Sequence, residues 1–216
     1  MCWSAEASLN TFLFALFGAA IALFNRVADP RLVLFLMTFS AVQLVEFFAW
    51  RRIRDRTGLP IRTVAVLLAL VIVIEPVASI ALLDGARTRA LWWAAYGAFV
   101  ALAALLAFSG SLGRVPEWTL RVAPNGHLRW DWLLDRSLAV NVLGLAWAAF
   151  LIAPLWFSGY RWAFAYALAS LALSVVCYWR EGTLASMWCW IAALAWVLLV
   201  AKAFVPSSCM LPLEKK

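Results

Sequence analysis

Thr63-Val-Ala-Val-Leu-Leu-Ala-Leu-Val-Ile-Val-Ile-Glu75-Pro-Val-Ala-Ser-Ile-Ala-Leu-Leu83 is a run in which one side chain, Glu75, is charged. A hydrocarbon core of about 30 Å takes roughly 20 helical residues, and this run has that length. Runs of the same kind cover Leu9 to Phe24, Leu32 to Trp50, Leu91 to Leu112, Ser137 to Trp156, Arg161 to Tyr178 and Thr183 to Phe204, which makes seven. They are continuous rather than alternating, and each is long enough to close its backbone hydrogen bonds as a helix, so helix is preferred to barrel. The breaks carry arginine, proline and glycine, and an odd number of spans puts the termini on opposite faces. The expectation is an all-α polytopic membrane protein, a seven-transmembrane-helix bundle forming a single domain over 1–216.

Composition agrees. Hydrophobic residues are 66% of the 216, against roughly 45–50% in a soluble domain, and charged residues are 13%, against about 25%. So little charge cannot cover a water-facing globule, whereas a lipid-facing protein needs apolar residues outside as well as inside. The net charge of +7 would point to nucleic acid in a soluble chain; here the arginines stand at span ends, where snorkelling and anionic lipid account for them, and no nucleic-acid partner is expected. The first span has no basic segment before it and no small-residue cleavage pattern after it, which argues against a cleaved signal peptide.

The connection 114–136 is the long one. Trp118-Thr-Leu-Arg-Val122, then Ala-Pro-Asn125-Gly126, then His127-Leu-Arg-Trp-Asp-Trp132 alternate on both arms of a turn signal. This predicts a short β-hairpin between the fourth and fifth helices, with Trp118, Leu120, Val122, Leu128, Trp130 and Trp132 on one face. That face lies at the headgroup level or over the helix ends, or serves as a lid or partner-binding flap. Of the 18 Lys and Arg, ten fall on the N-terminal side and eight on the other, and the dense Arg51 to Arg62 cluster favours a cytoplasmic N-terminus in a bacterial inner (cell) membrane.

Ionisable groups inside spans are costly and therefore candidate functional groups. Glu75 lies about nine residues before Asp84, near the bilayer midplane at 1.5 Å per residue. Pro76 removes its own amide donor and frees the carbonyl of Ile72, so a kink with a spare acceptor is expected there. Glu75 suits an ion or proton site, or a protonated side chain bonded to a neighbouring helix. In the second span Gln43 and Glu46 share a face with Trp50 following, a polar stripe that should point into the bundle, unless Glu46 pairs with Arg51 or Arg52 at the interface.

The four cysteines, Cys2, Cys177, Cys189 and Cys209, form no CxxC pair. Cys177 and Cys189 are explained by small-residue helix packing or belong to a site on the Glu46 side. Loss of Met1 would leave Cys2 with a free amine beside its thiol, a pair able to chelate a metal or act as a nucleophile. Cys2, Glu46 and Cys189 are the candidate metal ligands.

Met1-Cys-Trp-Ser-Ala-Glu-Ala-Ser8, Gln43-Leu-Val-Glu46 with Trp50, and Ser186-Met-Trp-Cys189-Trp resemble a family of small uncharacterised multi-pass membrane proteins of bacteria and viruses that open with Met-Cys-(Phe/Trp)-Ser. The resemblance implies the architecture and a set of key residues, Cys2, Ser4, Gln43, Glu46 and Cys189, and no reaction or cofactor.

Lys202 in the seventh span invites a retinal reading, but it stands about one turn from Pro206, where it can snorkel. His127 is the single histidine, so a His-based zinc hydrolase is excluded. Two classes remain, with a structural or ligand-binding membrane protein behind them. The first transports, conducts or senses a small cation, proton or metal through Gln43, Glu46 and Glu75. The second is an enzyme using Cys2 on a lipid-borne substrate, although no Ser/His/Asp order or phosphate loop supports it. In either, the N-terminal segment is expected to fold back so that Cys2 and Ser4 approach Gln43, Glu46 and Cys189, with Trp3 filling an apolar gap.

Overall fold

The computed structural model of the protein describes residues 3–109, 118–131 and 138–204. Its helices are α1 (Ala5–Phe24), α2 (Pro30–Arg54), α3 (Ile61–Ile80), α4 (Ala86–Phe108), α5 (Leu138–Phe157), α6 (Arg161–Tyr178), α7 (Leu184–Ala193) and α8 (Ala195–Phe204). With α7 and α8 taken together, seven spans are long and apolar enough to cross a bilayer, and the protein is an integral, multi-pass membrane protein.

Local chemistry sets the helix starts. The Ser4 hydroxyl accepts from the Ala7 amide at 3.1 Å, which begins α1 ahead of the apolar run. Asp29 accepts from the Arg31 amide at 2.8 Å, and Pro30 at the first position of α2 loses no helical bond. α3 stops at Ile80, short of Leu83, because Leu82 and Leu83 turn back with their side chains buried.

α2 is the most enclosed span. It packs against α1, α3 and α7, while α1 also meets α8, α3 meets α5, and α6 lies between α5 and α7. α4 is peripheral, touching chiefly α3, and Tyr96 is its one buried residue.

The seventh span is not the single helix expected. It breaks at Leu194, whose amide reaches back to the Ile191 carbonyl at 3.0 Å, while the Val197 amide bonds Leu194 at 2.9 Å. The Tyr166 hydroxyl of α6 also donates to the Ile191 carbonyl, at 2.6 Å. Beyond the break Trp196 enters between α1 and α2, over Gly18, and its indole donates to Ser40 Oγ at 2.9 Å.

The hairpin forms as expected. β1 (Leu120–Val122) pairs antiparallel with β2 (Leu128–Trp130), Leu120 opposite Trp130. Gly126 takes the left-handed φ of +80° that the turn requires, and its amide closes on the Ala123 carbonyl at 2.8 Å. Leu120, Leu128 and Trp130 are buried in the main core, and Trp118 packs against it. Val122 corrects the expected apolar face: it overhangs the covered part and is 43% exposed. Trp132 lies outside the described residues. The like charges of Arg121 and Arg129 face each other across the strands, and Asp131 neutralises both, at 2.8 and 3.0 Å.

Candidate functional site

Two buried carboxylates, one on α2 and one on α3, organise the candidate site. Near the C-terminal end of α2, Gln43, Glu46 and Trp50 form one stripe, and all three are 0% exposed. Gln43 Nε2 donates to Glu46 Oε2 at 3.3 Å, and the indole of Trp130, carried by β2, donates to Glu46 Oε1 at 3.2 Å. The hairpin is therefore docked on the carboxylate. Its tip is tied as well, since Asn125 Nδ2 donates to the Thr183 hydroxyl just before α7, at 3.0 Å. Glu46 does not take the arginine partners weighed from sequence: Arg51 pairs with Asp55 at 2.8 Å, and Arg52 donates to the Arg56 carbonyl.

Around this end stand four buried donors with no hydrogen-bond partner among the described residues: Ser8 Oγ on α1, Trp50 Nε1 on α2, Ser174 Oγ near the end of α6 and Ser186 Oγ on α7. Cys189, one turn beyond Ser186, is buried. Trp3 lies against His127 of the hairpin, ring centroids 6.2 Å apart, so the N-terminal segment does reach the hairpin. Trp3 fills no gap, however, being 42% exposed. Cys2 lies outside the described residues, as does Cys209. Cys177 is exposed on α6, which removes helix packing as its explanation.

Glu75 stands apart from this cluster. At 1.5 Å per residue it is about 21 Å from the start of α3 and about 8 Å from its end, whereas Glu46 is about 12 Å from the end of α2 where α3 begins. Glu75 is 0% exposed, and neither carboxylate oxygen has a hydrogen-bond partner among the described residues, so the expected bond to a neighbouring span is not made. The backbone beside it is satisfied. The Ile72 carbonyl freed by Pro76 accepts from Trp147 Nε1 of α5 at 3.0 Å, and the Val73 carbonyl accepts from the Tyr96 hydroxyl of α4 at 2.9 Å. Ser79, one turn after Glu75, donates to the Leu151 carbonyl of α5 at 2.6 Å. Among the described residues, these neighbours are matched and the carboxylate is not.

At the opposite end from the hairpin, Asp29 accepts from Arg31 Nη2 and from the Tyr160 hydroxyl, both at 3.0 Å. Burial works against the Asp29 charge, but the Arg31 and Tyr160 donors outweigh it and hold its carboxyl below the usual carboxylate range. Burial, with the bond to Asp29, pushes the Tyr160 phenol up to about 12. Lys202 Nζ donates to the Val27 carbonyl at 3.2 Å, an anchor at this end that matches its snorkelling placement.

The structure thus brings Gln43 and Glu46 together, puts Ser4 to work as a helix cap and leaves Glu75 in a separate place. No group of three His, Cys, Asp or Glu able to hold a metal occurs among the described residues. Sequence reasoning missed Trp130, Trp147, Tyr96 and Ser79 as partners of the two sites. Only the freed Ile72 carbonyl, announced by Pro76, signalled that a donor from another span was needed. Comparison with known protein families, with curated proteins and with solved structures finds no match.

Proposed function

We propose that this membrane protein binds a proton or small cation at Glu75, inside the bundle, as part of transport, conduction or sensing. The observation that carries this reading is the mismatch beside Pro76 in α3. The bundle supplies a donor to the carbonyls of Ile72, Val73 and Leu151, yet among the described residues none reaches the fully buried carboxylate of Glu75. An ionised side chain so placed costs about 3 kcal/mol or more, and a bound positive species offsets that cost. Proton or cation flux into proteoliposomes, abolished in Glu75→Gln, is the expected result; flux unchanged by that substitution refutes the reading.

A second reading is a membrane-embedded enzyme that uses Cys2 on a lipid-borne substrate with Glu46 as acid or base. It is favoured by Trp3 packing on His127, which brings the N-terminal segment to the hairpin that covers Glu46. Turnover lost in Cys2→Ser, without flux, would select it. The family suggested by the opening Met-Cys-Trp-Ser, a single domain over the whole chain and a bacterial cell membrane with a cytoplasmic N-terminus belong to the same proposal; the basic stretch Arg51 to Arg62 supports the orientation.

A further inference from the structure

We infer that the species Glu75 binds is the proton itself and that metal cations are refused; this rests on the reading of Glu75 as an ion site and narrows it. The number of available ligand atoms decides between the two. A magnesium ion requires about six oxygens in octahedral array and calcium about six to eight, while zinc takes about four ligands drawn from Cys, His and carboxylates. Around Glu75 the carbonyl oxygens that a proline-interrupted helix could offer a cation each already accept a hydrogen bond from a neighbouring span, which a cation would have to displace or share. The Ile72 carbonyl holds the Trp147 indole proton, and the Val73 carbonyl holds the Tyr96 hydroxyl proton. Trp93 Nε1 lies 3.4 Å from the Val77 carbonyl on the next turn. Ser79 Oγ, which spends its proton on Leu151, is the one neutral side-chain oxygen left on the Glu75 face of α3.

A cation would therefore have to keep most of its water in a place that buries both carboxylate oxygens completely. A proton needs one oxygen and no shell. It adds to either Oε atom, takes the side chain from a single negative charge to neutral and turns an acceptor-only group into one with an O–H donor. Neutralisation removes the cost of the buried charge at once.

The charged and titratable surroundings agree. Of the helices packed against α3, α4 faces Glu75 with Tyr96, and its two arginines, Arg87 and Arg89, stand in its first turn, where Arg89 donates to the Leu83 carbonyl at 3.0 Å beyond the end of α3. α5 has no titratable residue over its length, and α2 has Glu46 in the half away from Glu75 and arginines at its ends. α3 itself adds only Arg62, at its far end. No cationic side chain among these stands beside Glu75 to replace the proton.

Infrared difference spectroscopy on the full-length protein in lipid nanodiscs tests the inference, with pH titrated in choline chloride and then in NaCl, KCl, MgCl2 or ZnCl2 at constant ionic strength. A protonated-carboxyl band present in the wild type and missing in Glu75→Gln, with a midpoint the same in every salt, is the expected result. One-for-one competition by a monovalent cation would move the midpoint by about one pH unit per tenfold increase in concentration. Such a shift overturns the proton assignment and leaves Glu75 standing as an ion site. No Glu75-dependent band at any pH or in any salt removes the ion-site reading as well. Should Glu75→Gln fail to fold, Glu75→Asp keeps the carboxyl and identifies the band by its displaced frequency, and the salt comparison needs the wild type alone.

Discussion

The indole nitrogen of Trp147 lies 3.0 Å from the carbonyl oxygen of Ile72, the acceptor that Pro76 deprives of its helical donor. Ser79, three residues after Pro76, donates in the other direction, to the Leu151 carbonyl of α5, one turn after Trp147. The two spans are thus laced in both directions across the segment that holds Glu75. Proline alone would leave the Ile72 carbonyl unbonded in hydrocarbon; the lacing supplies its donor.

Trp147→Phe leaves the Ile72 carbonyl without its donor while keeping most of the ring. Loss of about 1–2 kcal/mol is expected, a buried acceptor costing more than an average intramembrane bond. Ser79→Ala should cost about 1 kcal/mol by the same reasoning. Equilibrium unfolding of the purified protein in mixed micelles measures both. Wild-type stability in Trp147→Phe would mean that the bond does not hold α3 and α5 together.

Trp130 and Glu46 couple the hairpin to α2. In Trp130→Phe the apolar ring stays but the donor goes, so amides of Leu128–Trp130 should exchange with solvent faster. Because Glu46→Gln weakens the same contact from the other side, the double variant should lose less than the two singles added together, by about 0.5–3 kcal/mol. Strict additivity in the cycle would show that the hairpin is held by its apolar face alone.

The spans were legible because lipid allows one way to satisfy a backbone, and a run of apolar residues announces it. The hairpin was legible from alternation about Asn125-Gly126. What the chain does not advertise is orientation. Trp130 meets Glu46 from 84 positions away, and that depends on how the hairpin docks. The break at Leu194 involves neither proline nor glycine; Tyr166 on the Ile191 carbonyl and Trp196 on Ser40 accompany it, all contacts between spans. Pro76 told that Ile72 needs a donor, but Trp147 and not another tryptophan supplies it by virtue of packing alone.

Gly18 is the position where α1 admits Trp196. A Cβ placed there would stand 3.1 Å from Cε3 and 3.2 Å from Cβ of Trp196. The indole cannot swing aside without losing Ser40 Oγ, and its Cβ is fixed to the backbone of α8. Gly18→Val should therefore destabilise by about 1–3 kcal/mol, in the range of overpacked cores, despite valine's better helix propensity. Gly18→Ala should cost less, since alanine's gain of about 1 kcal/mol in propensity opposes the clash. A Gly18→Val protein that melts with the wild type would show that α8 slides freely on α1.

The Asp29, Arg31 and Tyr160 cluster ties the α1–α2 turn to the turn before α6, and its titration has a definite sign. Asp29 has its folded pKa below the ordinary 3.8, so its contribution to stability is present above that value and is lost as pH falls through the folded pKa. Tyr160 has its folded pKa raised from 10.0 to about 12, because the neutral phenol is buried and donates to Asp29. Its contribution is fully present below pH 10.0 and disappears as pH rises through about 12. The cluster should therefore stabilise evenly over the neutral range and weaken in acid and in alkali for different reasons. Melting followed by circular dichroism across this range, in wild type, Asp29→Asn and Tyr160→Phe, separates them. Asp29→Asn should flatten the acid limb and also soften the alkaline one, because Tyr160 loses its carboxylate acceptor, whereas Tyr160→Phe should remove the alkaline limb and keep most of the acid one, which Arg31 sustains. An acid limb of equal steepness in wild type and Asp29→Asn would sink the assignment, because the protons taken up on unfolding would then belong to a different carboxylate.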